Sequence, residues 1–405
     1  MEYLACPTRF QPPVLPTDCS EDLRVMVRAL AGLAGGEACI SAGTSGTAAR
    51  FLLALCALRV DRPVTLRAEG HLKDRPMAPL IQALQGLGAR VEASGGQPEA
   101  AEWPLHTYPI GSNALSGPTP EISLSEGAGI SSQFTSALLL LAPYMPLGLL
   151  LKGALRGVSV AYIRLTLALM QQCGAQVTVN GNDIRVLPGR YLPERIHRVW
   201  PGGAADWSCA SYLYQWLALS PTPARILIPS LSLSSPQPDA QIALRAQTYW
   251  GISTQETPQG LLLSGSGRAA IPRPTAPIRT PMSHTPDLIP TWVVTLLGLG
   301  HPFEVTGAEH LRYKESDRIH GLLNTARRCG YPLYYREGVF SSPGSEADFT
   351  PAGPILIDPQ ADHRMAMAWL GLRVAGADIR VADPTVTAKS FPAFPALLNR
   401  FLSAG

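Results

Sequence analysis

One pattern recurs four times along the chain and limits what it can fold into. A stretch with helix-like apolar spacing ends in glycine, and a short alternating run follows. The glycines lie 86, 77 and 79 residues apart, a spacing too long for a solenoid repeat. Each stands where a helix C-terminus favours a left-handed residue, because glycine lacks a Cβ. The pattern predicts an α/β protein of repeated βαβ-type units in two similar halves. Since such joints also occur in any α/β fold, that plainer alternative stays open. The four glycines are Gly88, Gly174, Gly251 and Gly330.

The runs that follow these glycines predict strands. The alternation predicts strands over 89–93 and 175–179, with a turn at Asn180-Gly181-Asn182 leading to a second strand. Other apolar stretches, 132–141 and 210–219, predict helices. A weak boundary falls at 201–203, where proline and two glycines follow one another. We therefore predict an N-terminal domain over 1–202 and a C-terminal domain over 203–405.

Composition excludes several classes of protein. The 33 basic and 30 acidic residues leave a net charge of +3, too small to indicate a nucleic-acid or membrane-surface partner. The seven cysteines are scattered and never spaced CxxC, which argues against a disulfide framework or a zinc site. No signal peptide is evident, and Pro143, Pro146 and Lys152 interrupt the most apolar stretch. A soluble, cytoplasmic protein is expected.

The first half contains two segments suited to an anion. Residues 43–50 read GTSGTAAR and precede an apolar helix expected at 51–58, so their free N–H groups can hold an anion. Without the lysine of a P-loop, a simple helix cap is an equal alternative. Arg75 lies in KDRP at 73–76, and Pro76 predicts the start of a helix. Its guanidinium group suits a carboxylate or phosphate, although a solvated turn explains the segment as well.

Hydroxyl and amide groups stand at two further predicted helix starts. Ser131, Ser132 and Gln133 precede a strongly apolar helix, and Ser159 and Tyr162 lie at the next one. Serine is an ordinary N-cap. Two hydroxyls and an amide at one helix start also suit a phosphate or a sugar-like polyol.

The second half gathers its charges into short segments at predicted helix starts. Aspartates there are favourable and are explained equally well as caps. Arginine or lysine at the same end is unfavourable unless an anion binds nearby, so we predict an anionic ligand. Metal, acyl-enzyme and nicotinamide chemistry lose support because HExxH, a GxSxG triad and GxGxxG are absent. The segments hold Asp287; Arg312, Lys314, Glu315, Asp317 and Arg318; Asp362, His363 and Arg364; and Lys389.

Taken in order, these segments resemble one family, the 3-phosphoshikimate 1-carboxyvinyltransferases or EPSP synthases. Nine runs carry the resemblance, from about residue 20 to the C-terminus. The form DWSCASY looks most like Bacteroidetes-type sequences. The runs are GTSGTAARFL (43–52), KDRPMAPLIQALQGLGA (73–89), SSQFTSALLLLAPY (131–144), SVAYIRLTLALM (159–170), DWSCASYL (206–213), TPDLIPTWVVTLLGLG (285–300), LRYKESDRI (311–319), DHRMAM (362–367) and TAKSFPAF (387–394).

The resemblance implies a fold and a reaction. The fold is the two-domain enolpyruvyltransferase fold of repeated βαβαββ units, an inverted α/β barrel type, here with its first unit incomplete. The reaction transfers the enolpyruvyl group of phosphoenolpyruvate to the 5-hydroxyl of shikimate 3-phosphate, on the route to chorismate and the aromatic amino acids. The resemblance implies no cofactor or metal, a monomer, and these two small molecules as the partners.

Residue roles follow from the resemblance position by position. Asp287 would accept the proton of the attacking hydroxyl, and Glu315 would move a proton to and from the methylene carbon. The N-terminal domain would bind shikimate 3-phosphate and the C-terminal domain would lie on the phosphoenolpyruvate side. Shikimate 3-phosphate would be held by Ser131, Ser132, Gln133, Ser159, Tyr162, Asp287 and Lys314. Phosphoenolpyruvate would be held by Gly46, Arg75, Gln133, Arg318, Arg364 and Lys389.

Two positions depart from the family pattern. His310 stands where the family commonly has asparagine. The family opens with an S-K-S-x-S-x-R loop, whereas residues 1–19 contain no lysine and no such loop. We therefore expect either a start at the wrong methionine or a variant that turns over slowly or not at all. The alternatives are a silent homologue that binds a phosphorylated ligand, and a UDP-N-acetylglucosamine enolpyruvyltransferase, which DHRMAM and KESDR fit poorly.

Overall fold

A computed structural model describes residues 1–7, 10–94, 102–109, 119–123, 131–157, 159–199, 206–229, 231–345 and 353–404. The chain divides into two compact units, Met1–Gly202 and Gly203–Gly405. The proline and glycines at 201–203 that suggested a boundary lie outside the described residues. Within those residues, no helix combines the length and the apolar character that crossing a membrane requires.

In its described residues, the first unit contains two four-stranded sheets with helices between the strands. The sheet orders are β1-β2-β4-β3 and β5-β6-β8-β7. In each sheet the first two strands are parallel and the last two form antiparallel pairs. The helices are α1 Glu2–Ala5, α2 Glu21–Ala34, α3 Gly46–Arg59, α4 Ala78–Gly86, α5 Ser132–Leu141, α6 Val160–Gln172 and α7 Pro193–Val199. The strands are β1 Cys39–Ser41, β2 Val64–Arg67, β3 Arg90–Ala93, β4 Leu105–Tyr108, β5 Glu121–Ser123, β6 Leu149–Lys152, β7 Val177–Asn180 and β8 Asp183–Val186.

The second unit contains three sheets, ordered β10-β11-β9, β12-β13-β15-β14 and β16-β17 in the described residues. The four-stranded sheet has the same parallel and antiparallel pairs as those of the first unit. The helices are α8 Trp207–Leu219, α9 Gln241–Trp250, α10 Ile289–Gly298, α11 Arg318–Arg328, α12 His363–Leu370 and α13 Phe394–Ala404. The strands are β9 Ala224–Pro229, β10 Ser253–Thr257, β11 Gly260–Gly265, β12 Ile278–Pro281, β13 Phe303–Thr306, β14 Tyr334–Arg336, β15 Val339–Ser342, β16 Ile355–Ile357 and β17 Ile379–Val381.

The predicted repeat is confirmed by the pairing of strands. A parallel pair joined through a helix, then a helix and a hairpin, gives βαβαββ in β1–β4, β5–β8 and β12–β15. The four glycines that indicated the repeat all have a positive φ. The angles are 86°, 102°, 65° and 76° for Gly88, Gly174, Gly251 and Gly330. They let the chain reverse from helix into strand, as the absence of a Cβ allows. Gly181 does the same in the β7–β8 hairpin, with φ 58°.

Each unit has its own apolar core, and the central helices explain where polar groups collect. Every residue of α10 is buried, and α3 is buried along most of its length. A helix that is apolar on all sides packs all of its faces against neighbouring elements, so polar groups are found mainly at its ends. The first turns of these helices therefore present backbone N–H groups and the residues that cap them.

Two predicted helix starts are placed differently in the structure. The helix expected at 51–58 begins earlier, at Gly46, because Ser45 caps it by accepting a hydrogen bond from the Ala48 N–H. The segment at 73–76 does not open a helix. Pro76 disfavours helical geometry at the residue before it, and Arg75 is extended with φ −82° and ψ 140°. Helix α4 begins at Ala78, and Pro79 supplies the proline of its first turn.

Candidate active site

The second unit is organised around one buried arginine at the start of α11. Arg318 has 0% exposure and contacts three carboxylates. Its Nη2 lies 2.7 Å from Glu315 Oε2, its Nη1 lies 3.1 Å from Asp287 Oδ1, and its Nε lies 2.7 Å from Asp362 Oδ2. These neighbours outweigh the effect of burial and raise the pKa of the guanidinium group above its ordinary value. Arg318 is therefore a permanently charged, fixed centre.

Asp362 connects this centre to the next helix. Its side chain caps α12, accepting hydrogen bonds from the backbone N–H groups of Arg364 at 2.9 Å and Met365 at 3.4 Å. It also accepts from Ser316 Oγ at 3.1 Å and binds Arg318 through both oxygens. The sequence predicted a possible cap at Asp362, and the cap is present. One buried carboxylate thus fixes both Arg318 and the start of the helix that carries Arg364.

Asp287 lies among three cations just before α10. Its Oδ1 is 3.1 Å from Arg318 Nη1 and 3.3 Å from Lys314 Nζ, and its Oδ2 is 3.2 Å from Arg364 Nη2. Burial alone would raise the pKa of this carboxyl, but Arg364, Lys314 and Arg318 hold it well below its usual value. Asp287 is 23% exposed, so the cluster reaches the surface of its unit at this carboxylate.

Two histidines border the cluster in neutral form. His363 is 4% exposed, and burial, with help from Arg364, lowers its pKa to about 4. Burial and the nearby Lys314 lower the pKa of His310 to about 4 as well. Neither His363 Nδ1 nor the two ring nitrogens of His310 have a hydrogen-bond partner among the described residues. His310 therefore offers both a donor and an acceptor beside Lys314 and Asp287.

Lys389 occupies a different setting from the one its sequence suggested. It ends the 3₁₀-helix Pro384–Lys389 rather than beginning a helix. Its charge contributes to the lowered pKa of His363, which places it on the α12 side of the cluster. The neighbouring Ser390 carbonyl accepts from Cys209 Sγ at 3.7 Å. Burial raises the pKa of that thiol well above its ordinary value, with Asp206 adding to the effect.

The first unit brings Gly46, Arg75 and Gln133 together at the N-terminus of α3. A Cβ built on Gly46 would overlap the Arg75 guanidinium group and lie 2.8 Å from Arg50 Nη1. Arg50 Nη1 donates to Gln133 Oε1 at 2.6 Å, and Gln133 Nε2 donates to Thr47 Oγ1 at 2.9 Å. Two guanidinium groups, an amide and a helix N-terminus therefore converge, an arrangement suited to an anion.

The serines stand at two neighbouring helix starts. Ser131 caps α5 and accepts from the Gln133 N–H at 3.3 Å, so Ser131, Ser132 and Gln133 share one N-terminus. Ser159 precedes α6 in a left-handed conformation with φ 62°. Tyr162 lies in the first turn of α6, whose Thr166 bonds Ser136 of α5 at 2.8 Å. The two groups of hydroxyls are thus carried by adjacent, packed helices.

The structure adds residues that sequence reasoning did not assign. Arg50 and Thr47 contact Gln133 directly, and Asp362 contacts Arg318. The sequence did contain a signal for Arg50, because an arginine in an otherwise apolar helix is buried only when it has a partner. For Asp362 the sequence indicated only a helix cap, because its contact with Arg318 joins residues 44 positions apart.

The chemical capacity of these residues is acid–base and anion binding. Within the described ranges, no group of three or more histidine, cysteine, aspartate or glutamate side chains is arranged to hold a metal ion. In the second unit, two carboxylates, Asp287 and Glu315, share a cluster with Arg318, Lys314 and Arg364. Cations of this kind fix anionic substrates, and paired carboxylates move protons.

Solved structures define the fold class. The chain is similar to EPSP synthase from Acinetobacter baumannii, with a TM-score of 0.63 and 20% identity over 90% of this chain and 78% of that chain. It is also similar to the enolpyruvyl transferase NikO from Streptomyces tendae, with a TM-score of 0.58 and 14% identity over 87% and 76% of the two chains. At such identities the likeness concerns the fold, which is the enolpyruvyltransferase fold.

Sequence comparison then gives the family. The family model EPSP synthase (3-phosphoshikimate 1-carboxyvinyltransferase) matches residues 18–398. The 3-phosphoshikimate 1-carboxyvinyltransferase of Bacteroides fragilis is 34% identical over 93% of this chain and 86% of its own length. That of Methanoculleus marisnigri is 34% identical over 89% and 79%. The chain belongs to the EPSP synthase family, as its motifs indicated.

Proposed function

We propose that this chain transfers the enolpyruvyl group of phosphoenolpyruvate to the 5-hydroxyl of shikimate 3-phosphate, releasing phosphate. The relatives in the family bear the name of this activity. The observation that carries the proposal is the cluster of Asp287 and Glu315 with Arg318, Lys314 and Arg364. It combines the cations that two anionic substrates need with the two carboxylates that an addition–elimination reaction needs.

The first step is an addition. The 5-hydroxyl attacks C2 of phosphoenolpyruvate, its proton passes to Asp287, and C3 gains a proton from Glu315, which enters the reaction in its acid form. In the free chain the three cations stabilise the Asp287 carboxylate and weaken it as a base. Substrate carboxylate and phosphate groups bind the same cations, and this competition returns basicity to Asp287. The base is thus strengthened when the anions are present.

The second step is an elimination. Phosphate leaves C2 of the adduct and takes up the proton that Asp287 accepted in the addition, while Glu315 takes a proton back from the methyl group, which restores the vinyl double bond. Lys314, Arg318 and Arg364 offset the negative charge that accumulates on the departing phosphate. Holding the two reactants in register removes much of the entropic barrier to their encounter.

Binding is divided between two sets of residues. We assign one set to shikimate 3-phosphate, together with Lys314 and Asp287, and the other set to phosphoenolpyruvate. The support is the placement of hydroxyls and amide at adjacent helix starts and of guanidinium groups against Gly46. The shikimate set is Ser131, Ser132, Gln133, Ser159 and Tyr162. The phosphoenolpyruvate set is Gly46, Arg75, Gln133, Arg318, Arg364 and Lys389.

A phosphate-release assay with both substrates tests the proposal. We expect phosphate release that requires both substrates, with 5-enolpyruvylshikimate 3-phosphate identified by mass spectrometry. UDP-N-acetylglucosamine as the acceptor should give no product. Binding of shikimate 3-phosphate without any release would instead identify a silent homologue. Sedimentation of the purified chain tests the expected monomer, and fractionation of cells tests the cytoplasmic location.

A further inference from the structure

Arg50 is a buried cation that links two helices of the first unit. It lies on α3, one turn after Gly46, and is 1% exposed. Its Cζ lies 5.2 Å from the centre of the Phe134 ring, and its Nη1 donates to Gln133 Oε1 at 2.6 Å. Phe134 and Gln133 are consecutive residues of α5. Arg50 therefore holds the first turn of α5 in place against α3 through a ring contact and a hydrogen bond.

The arginine also decides which way the Gln133 amide faces. A guanidinium group only donates hydrogen bonds, so the amide oxygen must point towards Arg50. The amide nitrogen then lies 2.9 Å from Thr47 Oγ1. An NH₂ group has two hydrogens, and this contact takes one of them. The other is a donor directed by the same fixed side chain, and Gln133 is only partly buried.

The position of this donor is next to the anion-binding residues. Arg50 Nη1 lies within 2.8 Å of the point where a Gly46 Cβ would stand, and the Arg75 guanidinium group lies against the same point. Gly46 begins α3, whose backbone N–H groups and positive dipole end also favour an anion. The amide is thus oriented as a donor where a ligand oxygen would be placed.

We propose that Arg50 is a positioning residue that fixes Gln133 as a hydrogen-bond donor to an oxygen of the anionic substrate. Arg50 acts through Gln133 and stands behind it. The inference rests on the proposed function for the identity of the ligand. It gives Arg50 a role in substrate binding, and it specifies that the Gln133 amide donates a hydrogen bond to the substrate rather than accepting one.

A double-mutant cycle tests the proposal with the full chain and both substrates. Arg50→Met should lower kcat/KM about 10- to 100-fold, the range expected when a charged hydrogen bond is lost. In a Gln133→Ala background the same change should cost less than about threefold, because its target is already gone. Thr47→Val should give a smaller loss. Arg50→Lys should recover part of the activity, since lysine can still donate.

A second variant tests the direction of the hydrogen bond. Gln133→Glu places an acceptor where the structure presents a donor, and its carboxylate would pair with Arg50. It should therefore weaken shikimate 3-phosphate binding, measured by calorimetry, more than Gln133→Ala does. A folded Gln133→Glu variant that binds as tightly as the wild type would overturn the donor assignment.

A matched control separates folding from positioning. Arg59 ends the same helix and lies 5.0 Å above the Tyr144 ring, outside the site. Arg59→Met should leave kcat/KM unchanged, although it removes a cation–ring contact similar to the one that Arg50→Met removes. Equal costs of Arg50→Met in both backgrounds, with a working wild type, would overturn this inference alone. A wild-type chain that neither binds nor converts the substrates would overturn the proposed function and this inference with it.

Discussion

Among the residues that the structure describes, each unit contains one fully buried arginine, and the two are held in different ways. Arg318 is 0% exposed and contacts the carboxylates of Asp287, Glu315 and Asp362. Arg50 is 1% exposed and contacts the Gln133 amide and the Phe134 ring. Arg318 is the first residue of α11 and Arg50 lies one turn into α3, so both stand near a helix N-terminus. What differs is the charge of the partners.

That difference indicates two ways in which a buried arginine can be held near a proposed anion site. Around Arg318 the carboxylates occupy the cations, and under the proposed function a ligand anion would compete for them and change the state of Asp287. Around Arg50 a neutral amide orients the arginine and is oriented by it. Removing a charged partner leaves a buried charge uncompensated, whereas removing a neutral partner costs one hydrogen bond. The largest effects of substitution are therefore expected in the second unit.

The largest effect is expected when Asp287 is changed to Asn. The variant lacks the proton acceptor, and turnover should fall about 10²- to 10⁴-fold. Affinity for phosphoenolpyruvate should rise or stay constant, because Arg364, Lys314 and Arg318 lose an internal competitor. Steady-state kinetics and calorimetry give the two quantities. Asp378→Asn, an exposed carboxylate paired with Arg380 at 3.1 Å, is the control. Weaker phosphoenolpyruvate binding in Asp287→Asn would contradict the competition.

The next effect is on stability, at Asp362. Asparagine can still cap α12 but cannot balance Arg318, so Asp362→Asn should lower the free energy of unfolding by about 3–5 kcal/mol. Urea denaturation measures it. Asp317→Asn is the matched control, because Asp317 caps α11 at 3.0 Å and is 40% exposed on its side chain. That control should cost less than about 1 kcal/mol. Equal losses in the two variants would contradict the importance of the buried pair.

A third effect depends on pH, through His363. Its pKa is about 4 in the folded chain against an ordinary 6.5, so the unfolded chain binds more protons between these values. Stability should therefore fall as the pH falls from 6.5 towards 4, and His363 should account for about 2 kcal/mol of the loss between pH 7.5 and 5. His363→Gln should remove that part of the slope in denaturation curves at the two values. His320→Gln, at an exposed ring, should keep the wild-type slope.

The fold was predictable from local chemistry, and the contacts within the site were not. The glycines after α4, α6, α9 and α11 revealed the repeat because each must adopt a left-handed conformation that other residues resist. The predicted start of α4 at Pro76 was wrong. Pro76 and Pro79 are both candidates for the first turn, and only Pro79 lies in it. Local rules of this kind work within a few residues.

The networks join residues far apart in the chain. Arg318 meets Asp287 across 31 positions and Asp362 across 44, while Arg50 meets Gln133 across 83. No local pattern in the sequence indicates that residues so far apart meet. Motif order placed the residues in one family, but it did not reveal that Asp287 is occupied by the same cations that would bind a substrate. That arrangement of ion pairs is a property of the folded cluster.

The smallest of these effects is expected at Gly46, and it sharpens the comparison between the two units. The atoms nearest to a Cβ there belong to the guanidinium groups of Arg75 and Arg50, so Gly46→Ala should fold with a loss below about 1 kcal/mol. The Arg75 guanidinium group must move, however, and the KM for phosphoenolpyruvate should rise about tenfold, the equivalent of about 1.4 kcal/mol. Gly86→Ala is the control, since a Cβ at that helical glycine has open space around it. It should leave KM unchanged and stabilise α4 by about 0.5–1 kcal/mol. If Gly46→Ala left KM unchanged, the guanidinium groups against Gly46 would have no part in holding the anion, and the second unit would bind it alone.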